Sequence, residues 1–204
     1  MTLRDLQNRW AGHVPGLMGA RHSYAVLCPL VERPDGLHLL FEVRAATLDR
    51  QPGEVCFPGG RAEAGEDAVR CALRETQEEL RIPAREITVL GQPDFICNQA
   101  GFLLQPVLGA VSAAGMAGLR PSPDEVAEVF TAPLAFFART EPEVWRYPLE
   151  PRIPADFPYE SVGIPSDYRW AGGTVVVPVW HYAGHTIWGM TARITRELTR
   201  GKER

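Results

Sequence analysis

The sequence is short of several things, and each shortage excludes a class of protein. No stretch of its 204 residues approaches the roughly 18 consecutive apolar residues of a membrane-spanning helix. There is no excess of positive charge: 21 Lys and Arg face 25 Asp and Glu, for a formal net charge of −4. A general nucleic-acid binder is therefore not expected, since such proteins carry basic patches. Cysteines are few. Cys28, Cys56, Cys71 and Cys97 show no C-x-x-C spacing, and three of them lie in apolar or small-residue stretches. Buried free thiols in a reducing compartment are expected. The N-terminus lacks a signal-peptide apolar core, so the expected location is cytoplasmic. Internal repeats and low-complexity tracts are also missing. A hydrophobic content of 45% suffices for a proper core, and the expectation is one domain over residues 1–204.

What is present is concentrated in residues 53–82, GEVCFPGGRAEAGEDAVRCALRETQEELRI. The turn Pro58-Gly59-Gly60 feeds a short polar loop and then a helix. Glu75, Glu78 and Glu79 stand at i, i+3 and i+4, which at about 100° per residue puts them on one helical face. Carboxylates stacked this way repel one another, so a chain that keeps them together needs a partner for them. A hard divalent cation, bound by oxygens and shared with a phosphate substrate, is that partner. Val69, Leu73, Thr76 and Leu80 form a second stripe, roughly 130° round from Glu75, suited to packing on a sheet. Arg70, Arg74, Gln77 and Arg81 fill a polar face. Ala68, Cys71 and Ala72 lie on the Glu75 side, where small side chains let a loop or ligand approach.

The spacing from Gly60 onward is five residues, Glu66, seven residues, then Arg74-Glu75-Thr76-Gln77-Glu78-Glu79-Leu80-Arg81-Ile82. This resembles the Nudix box, G-x5-E-x7-R-E-U-x-E-E-x-G-U, where U is bulky and apolar. Every charged position matches. Thr76 replaces an apolar residue and Arg81 replaces a glycine. Because arginine is disfavoured in the left-handed cap that glycine allows, the helix is expected to end differently, assisted by Pro83. Upstream, Leu40, Arg44, Gly53, Phe57, Pro58, Gly59 and Gly60 fall in register with L-L-T-x-R-S-x3-R-x3-G-x3-F-P-G-G. That pattern marks the coenzyme A pyrophosphatase branch of the family. Here Glu42 replaces its threonine, Ala45 its serine, and Asp49 its second arginine, with Arg50 one step later.

The rest of the chain reads as follows. Residues 2–12 form a short helix capped by Thr2, with Leu3, Leu6 and Trp10 as an apolar stripe. It is expected to cover a sheet edge or a partner subunit, as in a homodimer. Residues 23–31 and 37–45 are strands joined by a turn at Arg33-Pro34-Asp35-Gly36. Residues 54–57, 86–95 and 102–111 are further strands, with a turn at 98–101. Pro133 to Arg139 is a short helix. Residues 141–173, rich in Pro and aromatics, form an ordered excursion whose aromatics are expected to pack into the core. Residues 174–181 form a strand, and a turn follows, so His181 and His185 do not share a helical face and no metal site is expected there. Residues 187–199 close the chain as an amphipathic helix. Phe102–Val111, residues 122–133 and Trp188-Gly189-x-Thr191-Ala192 also resemble the coenzyme A branch.

The resemblance implies an α/β fold, a sandwich of α/β/α layers around a mixed sheet. It implies hydrolysis of a nucleoside diphosphate linked to another group. For the coenzyme A branch the products are 3',5'-ADP and 4'-phosphopantetheine or its acylated form. ADP-ribose or NADH is the alternative substrate, and a non-catalytic ligand-binding module the second alternative. The implied cofactor is Mg²⁺ or Mn²⁺, held by Glu75, Glu78, Glu79 and the Gly59 carbonyl. Either Glu75 or Glu128, a carboxylate from a late strand or loop, takes the proton from water. Arg74 orients the glutamates, and Glu66 meets the positive end of the helix. Arg44 and Arg50 meet the substrate phosphates, and Gly60 lets the substrate come close.

Overall fold

The computed structural model describes residues 1–13, 16–19, 22–97 and 101–200. Helix α1 (Leu3–Trp10) is held by a capping box in which Thr2 and Asp5 satisfy each other's backbone N–H groups. None of its residues is buried, Leu3 and Trp10 being exposed, so it does not form the expected cover over a sheet edge of its own chain.

Strands β1 (His22–Arg33) and β2 (Gly36–Arg44) make the expected hairpin, with Arg33 opposite Gly36. Both strands are covered on two faces, which explains why they read as nearly continuous apolar runs. Leu39 and Phe41 turn to one face of the sheet and Leu40 to the other. Beyond Leu39 a short ribbon follows, β3 (Val55–Cys56) pairing with β2 and β4 (Gly59–Arg61) pairing with β1. Helix α2 (Ala68–Leu80) leads through a 3-10 turn at Ala84–Glu86 into β5 (Ile87–Gly91), then β6 (Ile96–Cys97) and β7 (Phe102–Val111). The strand expected over 86–95 is therefore shorter, ending at Gly91. The turn expected at 98–101 lies, apart from Gly101, outside the described residues.

Helix α3 (Ala113–Gly118), strand β8 (Val126–Pro133), helix α4 (Leu134–Arg139), strand β9 (Glu143–Leu149) and helix α5 (Tyr159–Val162) come next. Strands β10 (Gly173–Tyr182) and β11 (His185–Trp188) and helix α6 (Gly189–Arg200) complete the described chain. The main sheet runs β3-β2-β1-β7-β5, with β4, β6 and β8 attached to β1, β7 and β2. It is mixed because β1 and β7 are parallel while its other pairs are antiparallel. Ala68, Cys71, Ala72 and Leu80 of α2 pack on Leu27, Leu40 and Val107 on one face. Phe137 of α4 and Ala192 and Ile194 of α6 pack with Phe41, Phe57 and Trp180 on the other. This is the α/β/α sandwich that the sequence implied.

The end of α2 departs from expectation. Arg81 adopts the left-handed conformation (φ 59°, ψ 23°) that the sequence argument reserved for glycine. The reason is visible in the next segment. Arg120 N–H donates to the Leu80 carbonyl at 2.9 Å and Ser122 N–H to the Glu79 carbonyl at 2.7 Å. These bonds satisfy carbonyls that a helix end leaves open, and they hold the turn in place.

Strands β9, β10 and β11 form a second, antiparallel sheet. The segment over 141–173 carries β9 and α5, and its aromatics do not enter the core. Trp180 turns inward, whereas Val177 has the opposite parity on the strand and lies across from Trp145, which is 65% exposed. Tyr147, Tyr168 and Trp170 are exposed too, and Phe157 packs edge-on against Tyr159 and Trp170. His181 and His185 flank the turn between β10 and β11. Among the described residues no disulfide joins the cysteines: Cys28 and Cys71 are buried, Cys56 is half-buried and Cys97 is exposed. No helix among them is long and apolar enough to cross a membrane.

Candidate active site

Asp67 starts α2, its side chain accepting the Arg70 N–H at 2.9 Å. Glu66 sits one residue before that cap and has a different task. The buried face of the helix is Ala68, Cys71, Ala72, Thr76, Glu79 and Leu80, while Val69 and Leu73 lie at its margin. The buried stripe is thus rotated toward the glutamates relative to the sequence expectation. Small residues allow this: Ala68, Cys71 and Ala72 are buried, and Cys71 Sγ reaches the Gly60 carbonyl at 3.6 Å, so the helix settles closely on the sheet and the glycine ribbon. Glu79 is only 5% exposed as a result, Glu75 is half-buried, and Glu78 remains exposed. Thr76 tolerates full burial because its hydroxyl donates to the Ala72 carbonyl at 2.7 Å.

Arg74 joins the carboxylates from the outer side. Its Nε and Nη2 each donate at 3.0 Å to the two oxygens of Glu66, and Nη1 donates to Glu75 at 2.8 Å and Glu78 at 3.1 Å. Nη2 also reaches the Arg61 carbonyl at 3.2 Å. The fork-to-fork pair and the Glu63 N–H hold the Glu66 carboxyl down at about 2.

The glycines bring the ribbon against these acids. Gly59 N–H donates to Glu79 Oε2 at 2.8 Å. A Cβ at Gly59 would strike the Ala25 carbonyl oxygen and lie 2.6 Å from Val26 Cα. A Cβ at Gly60 would strike the Glu75 carboxylate. The contact seen for Gly59 is therefore its N–H on a glutamate.

One further carboxylate approaches from the sheet, and another, Glu125, from the turn before β8. Glu42, on β2, is 1% exposed; Cys56 Sγ donates to its Oε1 at 3.3 Å, and its Oε2 has no hydrogen-bond partner. Burial, with the charges of Glu125 and Glu75 nearby, pushes the Glu42 carboxyl upward. Burial and then Glu42, Glu75 and Glu125 push the Glu79 carboxyl upward, against the Gly59 hydrogen bond. Desolvation also raises Glu75, partly offset by Arg74. These mutual influences draw Glu42, Glu75, Glu79 and Glu125 into one electrostatic cluster.

Glu128 is not brought to it. It lies opposite Val43, whose side chain packs with the α4 and α6 core, so it projects from the other face of the sheet. There its Oε1 stands 3.4 Å from His185 Nε2, and His185 stacks on Phe130 with ring centroids 3.8 Å apart. Glu42 lies opposite Val129, which packs on the α2 side. The late acid named from the sequence thus lies away from the cluster, and Glu42, which the sequence reading did not name, lies in it. The available signal was parity: Leu40 and Glu42 share a strand face, so a lone carboxylate in an apolar strand had to face the box helix. Arg44 ends β2 beside Glu42, its Nε donating to the Arg50 carbonyl at 3.3 Å. Arg50 is exposed.

Carboxylate oxygens are the donors that hard divalent cations take. Among the described residues, no three acid, imidazole or thiol groups already converge on one point. The donor set nevertheless fits such an ion. It combines several mutually repelling carboxylates, two of them almost fully buried, with a glycine cradle that lacks any side chain to fill the space before Glu75.

The chain is similar to several known proteins. A family model described as the NUDIX domain matches residues 21–149. An uncharacterised Nudix hydrolase, NudL, of Photorhabdus laumondii is 30% identical over 97% of this chain and 96% of its own. A mitochondrial coenzyme A diphosphatase of Homo sapiens is 33% identical, covering 91% of this chain and 71% of its own. A peroxisomal coenzyme A diphosphatase of Mus musculus is 40% identical over 59% of this chain and 53% of its own. Among solved structures, a Nudix hydrolase from M. smegmatis aligns with a TM-score of 0.49 at 21% identity, over 57% of this chain and 73% of that one.

Proposed function

This chain belongs to the Nudix hydrolase family, and from that membership we propose that it hydrolyses the diphosphate of coenzyme A or acyl-coenzyme A. The products are 3',5'-ADP and 4'-phosphopantetheine or its acylated form. The observation that carries the substrate is that relatives aligned with most of this chain are named coenzyme A diphosphatases. The upstream residues Leu40, Arg44 and Gly53, leading to Phe57-Pro58-Gly59-Gly60, support the same reading.

The cofactor of this reading is Mg²⁺ or Mn²⁺, which Glu75, Glu78, Glu79 and the Gly59 carbonyl would hold. Such an ion, when bound, offsets phosphate charge and lowers the pKa of water. The chain's own residues do the rest. Arg74 ties Glu66, Glu75 and Glu78 into one framework, so the acids keep their positions as a polyanion enters. Gly59 N–H fixes the Glu79 carboxylate. Gly60 leaves the Glu75 oxygens open to the reacting centre. Glu75, half-buried and raised by desolvation, is the group that accepts the proton of attacking water. Glu125, in the turn before β8 and near enough for its charge to act on Glu42, Glu75 and Glu79, takes the supporting place that the sequence assigned to Glu128. Arg44 and the exposed Arg50 stand at the strand end as the phosphate-facing cations.

The test is hydrolysis of coenzyme A beside ADP-ribose and NADH, each with Mg²⁺, with Mn²⁺ and with chelator. Cleavage of coenzyme A well above the other two, abolished by chelator, is the expected result. Preference for ADP-ribose or NADH would remove the coenzyme A assignment while keeping the metal chemistry. Turnover that survives chelation would overturn the role given to the ion.

A further inference from the structure

Glu42 extends the metal-ligand set of this chain: we propose that its buried carboxylate is an additional oxygen ligand for the divalent cation. The inference rests on the metal-dependent reading above and adds a residue that the family pattern does not supply. That pattern has threonine at this position, and this chain alone determines what a glutamate there does.

Glu42 is 1% exposed, so water does not solvate it. Oε1 is occupied by the Cys56 thiol at 3.3 Å, whereas Oε2 is buried with no hydrogen-bond partner. Buried acceptors are nearly always satisfied, and one that is not calls for an explanation. The Arg44 charge acts on Glu42, but Arg44 makes no hydrogen bond to Oε2, its Nε being turned to the Arg50 carbonyl. Strand parity and the pairing with Val129 aim Glu42 at the α2 side, where Glu79 and Glu75 are its charged neighbours. Packing offers no reason for the charge, since Leu39, Leu40 and Phe41 fill the same strand with hydrocarbon. A carboxylate oxygen that is dry, unpaired and set among other carboxylates has one good partner, a hard cation. The thiol on Oε1 then acts as a positioning group, leaving Oε2 as the ligating atom.

A neutral Glu42 sharing a proton with Glu79 is the competing account, and substitution separates the two. Glutamine has the shape of the protonated acid, so Glu42→Gln preserves that account and removes the ligand. Glu42→Thr installs the residue of the family pattern. Mn²⁺ binding to the substrate-free protein is read from the electron paramagnetic resonance signal of the free ion, with folding checked by circular dichroism. Ten-fold or greater weakening of Mn²⁺ affinity in both variants is expected, beside a larger loss in Glu79→Gln. Unchanged affinity in Glu42→Gln and Glu42→Thr, with loss in Glu79→Gln, overturns this inference and leaves the proposed function standing. No Mn²⁺ binding by the unaltered protein, or none lost in Glu79→Gln, overturns both together.

Discussion

Gly59 and Gly60 are neighbours that lack a side chain for different reasons. At Gly59 the obstacle is the backbone of β1, which cannot yield. Gly59→Ala should therefore overpack the core and cost about 1–3 kcal/mol or more. At Gly60 the obstacle is the tip of the Glu75 side chain, which can swing away. Gly60→Ala should leave the melting temperature nearly unchanged while turnover falls on the order of 100-fold, because a reacting group is misplaced. Thermal unfolding alongside kcat measurements would separate them, and equal stability losses in both would refute the distinction. The raised acids give a pH prediction. Without a bound cation, Glu42 and Glu79 in the folded chain bind protons more readily than in the unfolded chain, whose carboxyls release them from their ordinary value of 4.5 upward. Stability of the metal-free protein should thus fall as pH rises from about 4.5 through neutrality. Glu66 acts in the opposite sense: its pairing with Arg74 is lost as pH falls toward about 2. Melting curves between pH 5 and 8 check this, with Glu42→Gln expected to flatten the slope. At this scale the box glutamates were legible from spacing. The burial of Glu42 was not, because burial depends on which strands flank it.

At the scale of elements, α2 was legible in its extent and polarity but not in its rotation or its ending. Apolar periodicity marked Val69 and Leu73, yet the small residues Ala68, Cys71 and Ala72 let the other side sink. Arg81 takes the left-handed cap because the 120–122 segment fixes the helix end from outside, and that segment lies far away in sequence. Arg81→Gly should relieve strain on the order of 1 kcal/mol and raise the melting temperature by roughly 2–4 °C. Turnover should not change, since Arg81 is exposed and contacts none of the acids described above. A lowered melting temperature would show that the arginine side chain contributes more than its backbone costs. The place of Glu128 also turned on an element boundary. Strand β8 begins at Val126, so Glu128 falls in the strand and onto the far face, while Glu125 precedes it. A shift of one residue in a strand changes the face, and sequence alone does not fix strand ends that closely.

At the scale of the whole molecule, the sandwich and its mixed sheet were legible because hairpin, box helix and β7 each carry a clear pattern. The exposed aromatics of β9 and the following excursion were not, since apolar composition does not reveal which side of a small sheet is covered. The parallel pairing of β1 with β7, His22 against Phe102 through Val31 against Val111, has a consequence in time. Chain closure over so long a stretch is slow compared with forming a hairpin or a helix. Glu42, Glu75 and Glu79 are brought together by β2, the glycine ribbon and α2, whereas Glu125 joins them only when the later strand β8 docks on β2. During refolding from urea, the helical dichroism signal should therefore recover before catalytic turnover does. A stopped-flow trace paired with a timed activity assay would show the lag. The nascent chain would spend that interval with its helix formed and its chemistry switched off.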